Sequence, residues 1–442
     1  MEKKVFSLFE WNELYLVGGV VRDRLLGKET NDLDFATNLL PEETEKLLQK
    51  AGYKTHDIGK AFGTISFMLE DQKVEITTFR KNEKYTRSNR RPVVEWGKDI
   101  KDDLVRRDFT INAMAIDREG KVVDLFDGQY HLKVGLIETP MDAEEIFSDD
   151  PLRILRAVRF KSRFGFKYSD GVKKALASQA HKLLYLPKER ILDEFNKILL
   201  GEHVEEALNT MLEYKLLNYI LPELTVMAST DQNSPYHTKN VWLHTLGVVG
   251  NAPPDLALKY AALFHDIGKS YTKTATDGHV HFYHHEEVSA FMAESILARL
   301  GLPKKLQEEI VYLVHNHMRA NLYEPKWSDS AVRRFVVDVG ANLDKLLVLS
   351  KSDITSHNPT KVALHLEDLD HFKGRIEEQK NYKELKCPID GKTLMEYFNI
   401  KPGKEVGRLK DLIMEALASG ELSLMEDNRA YLTYLEGKIN GG

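Results

Sequence analysis

The sequence changes character near Pro140, and that change limits the folds open to it more than any other feature. Before it, short β-rich runs alternate with turns: Leu14–Val17, Leu33–Ala36, Thr64–Leu69, Val74–Phe79 and Met114–Ile116. Two helices fit between them. One runs from Val20 to Leu26 and is closed by Gly27, the other from Glu42 to Ala51 and ends at Gly52. After Pro140 the apolar spacing is helical almost to the end. Pro187, Pro253-Pro254, Pro303, Pro325 and Pro388 punctuate it as helix starts or connections. The expected fold class is therefore α+β, a small N-terminal head with a mixed sheet and helices followed by a long all-helical neck, body and tail. The expected boundaries are 1–138 for the head, 139–205 for the neck, 206–365 for the body and 366–442 for the tail.

A chain of 442 residues is too long for one ordinary core, which agrees with several domains. No apolar run is long enough to span a bilayer. The segment up to Gly19 holds Lys3 and Lys4 but no long apolar stretch, so no secretory signal is expected. The single cysteine, Cys387, excludes an internal disulfide framework and a zinc site of several thiolates. A cytoplasmic location is the expectation. The net charge of −6 weighs against a nucleic-acid partner, but its distribution weighs more. Arg80, Lys81, Lys84, Arg87, Arg90 and Arg91 crowd one stretch, and Arg153, Arg156, Arg159, Lys161, Arg163 and Lys167 another. Such stretches either follow a phosphate backbone or form solvated faces.

The segment Gly18-Gly19-Val20-Val21-Arg22-Asp23 follows a strand and opens a helix. Glycines there let backbone N–H groups approach phosphate oxygens at a helix N-terminus. Arg22, one turn in, suits a triphosphate. Asp32 and Asp34 are two apart on a predicted strand, so both carboxylates leave one face, as hard cations such as Mg²⁺ require. Glu75 lies on a later strand and supplies a third carboxylate if the two strands are neighbours. A double glycine or an Asp-x-Asp alone is weak. Together, in strand–helix–strand order, they are specific.

Gly18-Gly19-x-x-Arg22-Asp23 with Asp32-x-Asp34 resembles the head of the class II tRNA nucleotidyltransferase and bacterial poly(A) polymerase family. Arg106-Arg107-Asp108-Phe109-Thr110-Ile111-Asn112-Ala113-Met114-Ala115 resembles its second signature and Val123–Gly128 the next. Asp149-Asp150-Pro151-Leu152-Arg153-Ile154-Leu155-Arg156-Ala157-Val158-Arg159-Phe160 resembles the neck motif, and Glu189–Phe195 the last. All five stand in family order over the first half of the chain. The resemblance implies that Asp32 and Asp34 bind catalytic Mg²⁺. It implies that Arg107, Asp108 and Asn112 hold triphosphate and ribose. It also implies that Asp150 and Arg153, three apart on a predicted helix, read the incoming base, with Arg156 behind them. A carboxylate accepts from the exocyclic amino group that C and A share, and G and U present the wrong donors. Residues Arg80–Trp96 resemble the family's flexible loop, shortened in members that add only CC. The chain departs from the family at two places. Asp149 stands where a glutamate is usual, and Glu138 follows Ile137 where arginine is common.

Farther on, His244, His265-Asp266-Ile267-Gly268-Lys269 and Asp353 stand in the order His…His-Asp…Asp. This resembles the HD metal-dependent phosphohydrolase superfamily, over residues of about 240–357. The resemblance implies a site for Mn²⁺, Ni²⁺, Fe²⁺ or Mg²⁺, with His285 and His317 as accessory ligands and Lys269 near a substrate phosphate. The structural alternative is a degenerate HD fold that only extends the RNA-binding body. Resemblance in the tail implies contacts with tRNA by shape.

The expected function is CCA addition to tRNA from CTP and ATP without a template. The alternatives are A-only addition, poly(A) synthesis, or chiefly HD phosphohydrolysis of RNA or nucleotide phosphates.

Overall fold

The computed structural model describes residues 1–30, 33–56, 59–86, 89–230, 240–276, 279–355, 358–378, 387–424 and 427–440. It contains two compact units, Met1–Pro222 and Glu223–Gly442. The α+β expectation holds, with the mixed sheet confined to the head.

In the first unit the strands are β1 (Leu14–Val17), β2 (Leu33–Thr37), β3 (Thr55–His56), β4 (Thr64–Leu69), β5 (Gln72–Thr78), β6 (Arg80–Thr86), β7 (Asn89–Trp96), β8 (Met114–Ile116) and β9 (Val122–Asp124). Seven of them make one sheet in the order β3-β4-β5-β2-β1-β8-β9. Its pairings are antiparallel except β2 with β5, which run parallel. Helices α1 (Glu2–Leu8), α2 (Gly19–Leu25), α3 (Pro41–Lys50), α4 (Ile100–Val105) and α5 (Gly128–Val134) complete the head. The turn into α2 needs Gly18, whose φ of +77° is open to glycine at little cost. Val17, Ala36, Phe79, Leu104, Ala113 and Ala115 form a head core in which β1, β2, β8 and α4 meet.

The segment expected as a loop, Arg80–Trp96, is instead a β6–β7 hairpin. The side chains of residues 82–94 lie outside the described set. Helices α6 (Ala143–Asp149), α7 (Leu152–Phe164), α8 (Asp170–Gln179), α9 (Lys188–Leu199), α10 (Val204–Glu213), α11 (Leu217–Ile220) and α12 (Pro222–Thr225) follow. Phe109 of the head meets Phe147 of α6 and Phe160 of α7 edge to face, at 6.4 and 5.5 Å, so head and neck share apolar packing. Two small exceptions interrupt the helices after Pro140. A parallel pair joins β10 (Leu136–Ile137) to β11 (Lys167–Tyr168), and a hairpin joins β12 (Thr274–Thr276) to β13 (His279–His281).

The second unit is built from α13 (Val241–Asn251), α14 (Leu256–Phe264), α15 (Lys269–Thr272), α16 (His285–Leu300), α17 (Lys304–Asn321), α18 (Asp329–Val339), α19 (Leu343–Asp353) and α20 (Pro359–Glu378). Its tail carries α21 (Gly391–Phe398), α22 (Lys404–Ser419) and α23 (Arg429–Asn440). The tail has its own core of Ile389, Leu394, Leu409, Ile413, Leu417, Tyr431, Leu432 and Leu435. Helix α22 also packs on α18, as its amphipathic pattern predicts. Among the described residues, no helix is long and apolar enough to cross a membrane.

Candidate functional site

Two sites emerge, one in each unit. In the head, β2 and β5 run side by side with Asp34 opposite Glu75. In-register residues on paired strands point to the same face, so the two carboxylates project together. Both are half-buried, while their neighbours Leu33, Phe35, Val74 and Ile76 are buried on the other face. Glu75 forms an ion pair with Lys73. Asp32 lies outside the described residues. Strand β1 is antiparallel to β2, with Leu16 opposite Phe35, so its end at Val17 delivers Gly18 and Gly19 to the same edge as Asp34. Strand β8 pairs Val17 with Ala115, which brings Asn112 to that edge as well.

A Cβ on Gly18 would lie 2.9 Å from Nη1 of Arg107, so a larger residue would displace that guanidinium from the turn. Arg107 donates Nε and Nη2 to Asp103 Oδ2, at 3.1 and 2.7 Å. Arg106 donates to the other Asp103 oxygen at 3.1 Å. Burial opposes ionisation of Asp103, but Arg107, Arg106 and Arg80 outweigh it and hold its carboxyl at about 2. Sequence reasoning missed Asp103. Its signal was present: Asp103, Arg106 and Arg107 have the i, i+3, i+4 spacing of one helical face.

Arg22 is only 4% exposed. It donates Nη1 to Asn112 Oδ1 at 2.6 Å, and Nε and Nη2 to the two oxygens of Asp23 at 2.9 Å each. Its guanidinium lies 5.3 Å from the ring centres of Phe160 and Phe164 on α7. Asn112 in turn donates to Asp108 Oδ1 at 2.9 Å, and Arg156 of α7 donates Nε to Asp108 Oδ2 at 2.7 Å. Burial works against the Asp108 charge, yet Arg156 and Asn112 hold its carboxyl below the usual range. Arg22, Asn112, Asp108 and Arg156 thus form one continuous network from the glycine turn to the neck helix.

Asp150 does not lie within a helix with Arg153, as the sequence suggested. It is an extended residue between α6 and α7, with φ −135° and ψ 98°, because Pro151 follows it and disfavours the helical region. Its Oδ1 accepts the Leu152 N–H at 3.1 Å, and its Oδ2 meets Arg190 at 3.4 Å. Arg153 donates to the carbonyls of Arg106 and Ile146, at 2.7 and 3.3 Å. Among the described residues no ion pair joins Asp150 to Arg153, so the ordinary i, i+3 surface pair is not what this spacing makes. The basic side chains of α7 are also paired, although Arg163 is exposed. Arg156, Arg159, Lys161 and Arg163 pair with Asp108, Glu194, Glu206 and Asp23. Two of these contacts link sequence motifs to each other: Arg190 to Asp150, and Glu194 to Arg159.

In the second unit the ends of α13, α14, α16, α17 and α19 converge on a buried cluster. His244 Nε2 is 3.4 Å and His265 Nε2 3.3 Å from Asp266 Oδ2. The same two nitrogens are 2.9 and 3.5 Å from Asp353 Oδ1. His285 and His317 Nε2 are 3.3 and 3.9 Å from the other Asp266 oxygen. Gly268 makes this convergence possible: a Cβ there would lie 2.6 Å from the His285 carbonyl oxygen. The carboxylates favour positive charge at this spot. Burial opposes it, but Asp266 and Asp353 push His265 up to about 10. Lys269 Nζ lies 2.6 Å from Asp266 Oδ2. The cluster floors a cavity of about 580 Å³, whose walls include Asn321, Tyr323, Thr355, Lys361 and His365. His284 and His315 are exposed and stand apart from it. Two imidazoles with two carboxylates are a donor set for a divalent transition cation.

Residues 14–138 match the poly A polymerase head domain. Residues 165–227 match the probable RNA and SrmB-binding site of polymerase A, and residues 236–353 the HD domain. The chain is 32% identical over 417 residues to the CCA-adding enzyme of Lactococcus lactis subsp. cremoris (strain SK11), covering 93% of this chain and 89% of that one. It is 29% identical over 420 residues to the CCA-adding enzyme of Staphylococcus aureus (strain MRSA252), covering 93% and 91%. The fold is similar to that of the Bacillus stearothermophilus CCA-adding enzyme in complex with CTP, with a TM-score of 0.72 at 24% identity over 100% of this chain and 97% of that one.

Proposed function

This chain belongs to the CCA-adding enzyme family, and from that premise we propose that it adds C, C and A to the 3′ end of tRNA, using CTP and ATP and no nucleic-acid template. The observation that carries the reading is the register that sets Asp34 beside Glu75 at the edge where the Gly18–Gly19 turn opens α2. Paired carboxylates on half-exposed positions of one sheet face are an all-oxygen donor set, and they fit a hard divalent cation. Asp34 and Glu75, with Asp32, would hold Mg²⁺. When bound, Mg²⁺ lowers the pKa of the attacking hydroxyl and neutralises charge on the leaving pyrophosphate.

The reaction is attack of the RNA 3′-oxygen on the nucleotide α-phosphorus, with cleavage of the bond to the bridging oxygen of pyrophosphate. The backbone at Gly18 and Gly19 and the Arg107 guanidinium receive the triphosphate. Asn112 and Asp108 serve the ribose. Arg22 and Arg156 fix those two side chains from beneath, so the pocket is pre-ordered before the nucleotide arrives. Asp150 and Arg153 face the base. They are not paired with each other, and the Asp150–Arg190 contact, at 3.4 Å, is long enough to be exchanged for a base amino group. The unshortened β6–β7 hairpin favours a chain that completes the A step over one that stops at CC. The helical neck, body and tail are assigned to tRNA, and the chain to the cytoplasm.

A second reading concerns the second unit. His244, His265, Asp266 and Asp353 would hold Mn²⁺, Ni²⁺, Fe²⁺ or Mg²⁺, whose bound water supplies a nucleophile for phosphoester hydrolysis. The buried cluster at the floor of a cavity favours this over a degenerate HD fold.

The head assignment is tested by Asp34→Ala and Glu75→Ala in a nucleotide-incorporation assay. Asp34→Ala is expected to lose at least about 10³-fold in kcat with tRNA affinity unchanged. Near-parental addition by both variants would overturn it.

A further inference from the structure

We propose that Arg190 is a positioning residue for base selection: before a nucleotide arrives it holds the oxygen of Asp150 that the amino group of C or A then takes over. The proposal rests on reading Asp150 as the acceptor for the base. The two oxygens of that carboxylate are engaged differently. Oδ1 accepts the Leu152 N–H at 3.1 Å and is fixed to the start of α7. Oδ2 meets Nη2 of Arg190 at 3.4 Å, and among the described residues Asp150 makes no other side-chain hydrogen bond.

Arg190 lies 40 residues from Asp150 in sequence and reaches it from another helix. It stands in the first turn of α9, and Glu194, four residues on, shares its face. Glu194 is 3% exposed and accepts from Nη1 of Arg159 on α7 at 2.9 Å. That buried pair docks α9 on α7, and the i, i+4 spacing then delivers Arg190 to the beginning of α7. The Arg190 and Asp150 side chains are 45% and 29% exposed. Their contact is therefore long and screened, so it orients the carboxylate without locking it. Arg153 does not serve this purpose, because its Nη1 and Nη2 go to the carbonyls of Ile146 and Arg106.

The exchange selects by donor chemistry. A guanidinium N–H and an exocyclic amino N–H are both donors, so the amino group of C or A can replace Arg190 on Oδ2, and the carboxylate keeps a donor throughout. The keto oxygen of U or G at the same position only accepts. It offers nothing to Oδ2, so Arg190 stays and the base finds no partner. Without Arg190 the Asp150 side chain turns about its Cα–Cβ bond between nucleotides. The bases that use Oδ2 then lose a pre-set acceptor, while U, which does not use it, loses nothing.

The test is equilibrium binding of labelled CTP, ATP and UTP to the full chain carrying Arg190→Ala, Arg190→Lys, Asp150→Ala or both alanines. Arg190→Ala is expected to weaken CTP and ATP about 5-fold and to leave UTP unchanged. Arg190→Lys keeps a cation and is expected to recover most of the loss. In the Asp150→Ala background Arg190→Ala is expected to add nothing, because its effect passes through that carboxylate. Equal weakening of all three nucleotides, or the same loss persisting without Asp150, would overturn the proposal, since a structural or phosphate-binding role gives those results. Parental CTP and ATP affinity in Arg190→Ala would overturn it too. An Asp150→Ala chain that binds CTP and ATP as the parent does would remove the base-reading assignment, and the proposal with it. Thermal melting checks folding. Where the alanine variant does not fold, Arg190→Met keeps the stem without a donor and carries the same expectation.

Discussion

A carboxylate that is 1% exposed must be surrounded by cations to stay charged, and Asp103 has Arg106 and Arg107 three and four residues on, just past the end of α4. Its work is positional: it takes two donors of Arg107 and leaves Nη1 toward the Gly18 turn. The pH dependence of folding carries its signature. The folded carboxyl, at about 2, lies below its ordinary 3.8, so the contribution is full above pH 4 and is lost as pH falls toward 2. That fall corresponds to about 2 kcal/mol. Asp103→Asn should remove this part of the acid slope, measured by urea unfolding between pH 2 and 5, and should raise KM for CTP and ATP together. An acid slope equal to the parent's would show that the group does not carry that stability. Arg22 teaches the converse. Its position after two glycines suggested direct triphosphate contact, but its donors go to Asp23 and Asn112, and burial over Phe160 and Phe164 makes it part of the floor.

Helix α2 and helix α3 were legible because Gly27 and Gly52 end them and their apolar spacing is regular. The main sheet strands were legible for the same reason, being short apolar runs between turns. The β6–β7 hairpin was not. Its strands are crowded with Arg, Lys, Asn and Glu, residues of low strand propensity, and pairing between the two strands supplies what propensity does not. Strand β9 was also missed: its three residues, Val122–Asp124, are all half-buried, so no buried apolar run marks them as β8 is marked. The junction between α6 and α7 was misread because Asp150 was placed on one helix with Arg153, whereas Pro151 holds Asp150 extended. That extended residue, with Arg153 a turn into α7, sets the base-reading prediction. Asp150→Ala and Arg153→Ala should each relax the choice among nucleotides, raising incorporation from GTP or UTP relative to CTP by about 10-fold or more. Parental rejection of GTP and UTP in both variants would remove the pair from base recognition.

At the scale of the whole molecule, each unit has its own core and its own cluster of acids. Family order along the chain was readable, as were the residues that gather in the buried cluster of the second unit. What could not be read was adjacency across long separations. Nothing in the segment around Glu75 says that β5 pairs with β2 in register, and His285 and His317 were joined to the cluster only through the resemblance to HD proteins, since nothing local to them says that they share Asp266 with His244 and His265. Those neighbours come from sheet order and helix packing, which depend on the whole core. Because substitutions in separate cores act independently, the two chemistries should separate cleanly. Asp34→Ala should lose nucleotide addition and keep Mn²⁺-dependent hydrolysis of a chromogenic phosphodiester. His265→Asn should do the reverse. Loss of both activities from either substitution would show that the sites are coupled.

The central claim is that this chain builds a complete CCA end. The direct test is incorporation of radiolabelled CTP and ATP on three tRNAs, ending before CCA, after C and after CC. The account predicts extension of all three to the same length, stopping at CCA. Addition of A only, confined to the tRNA ending in CC, or untemplated A-runs on unrelated RNA, would contradict it.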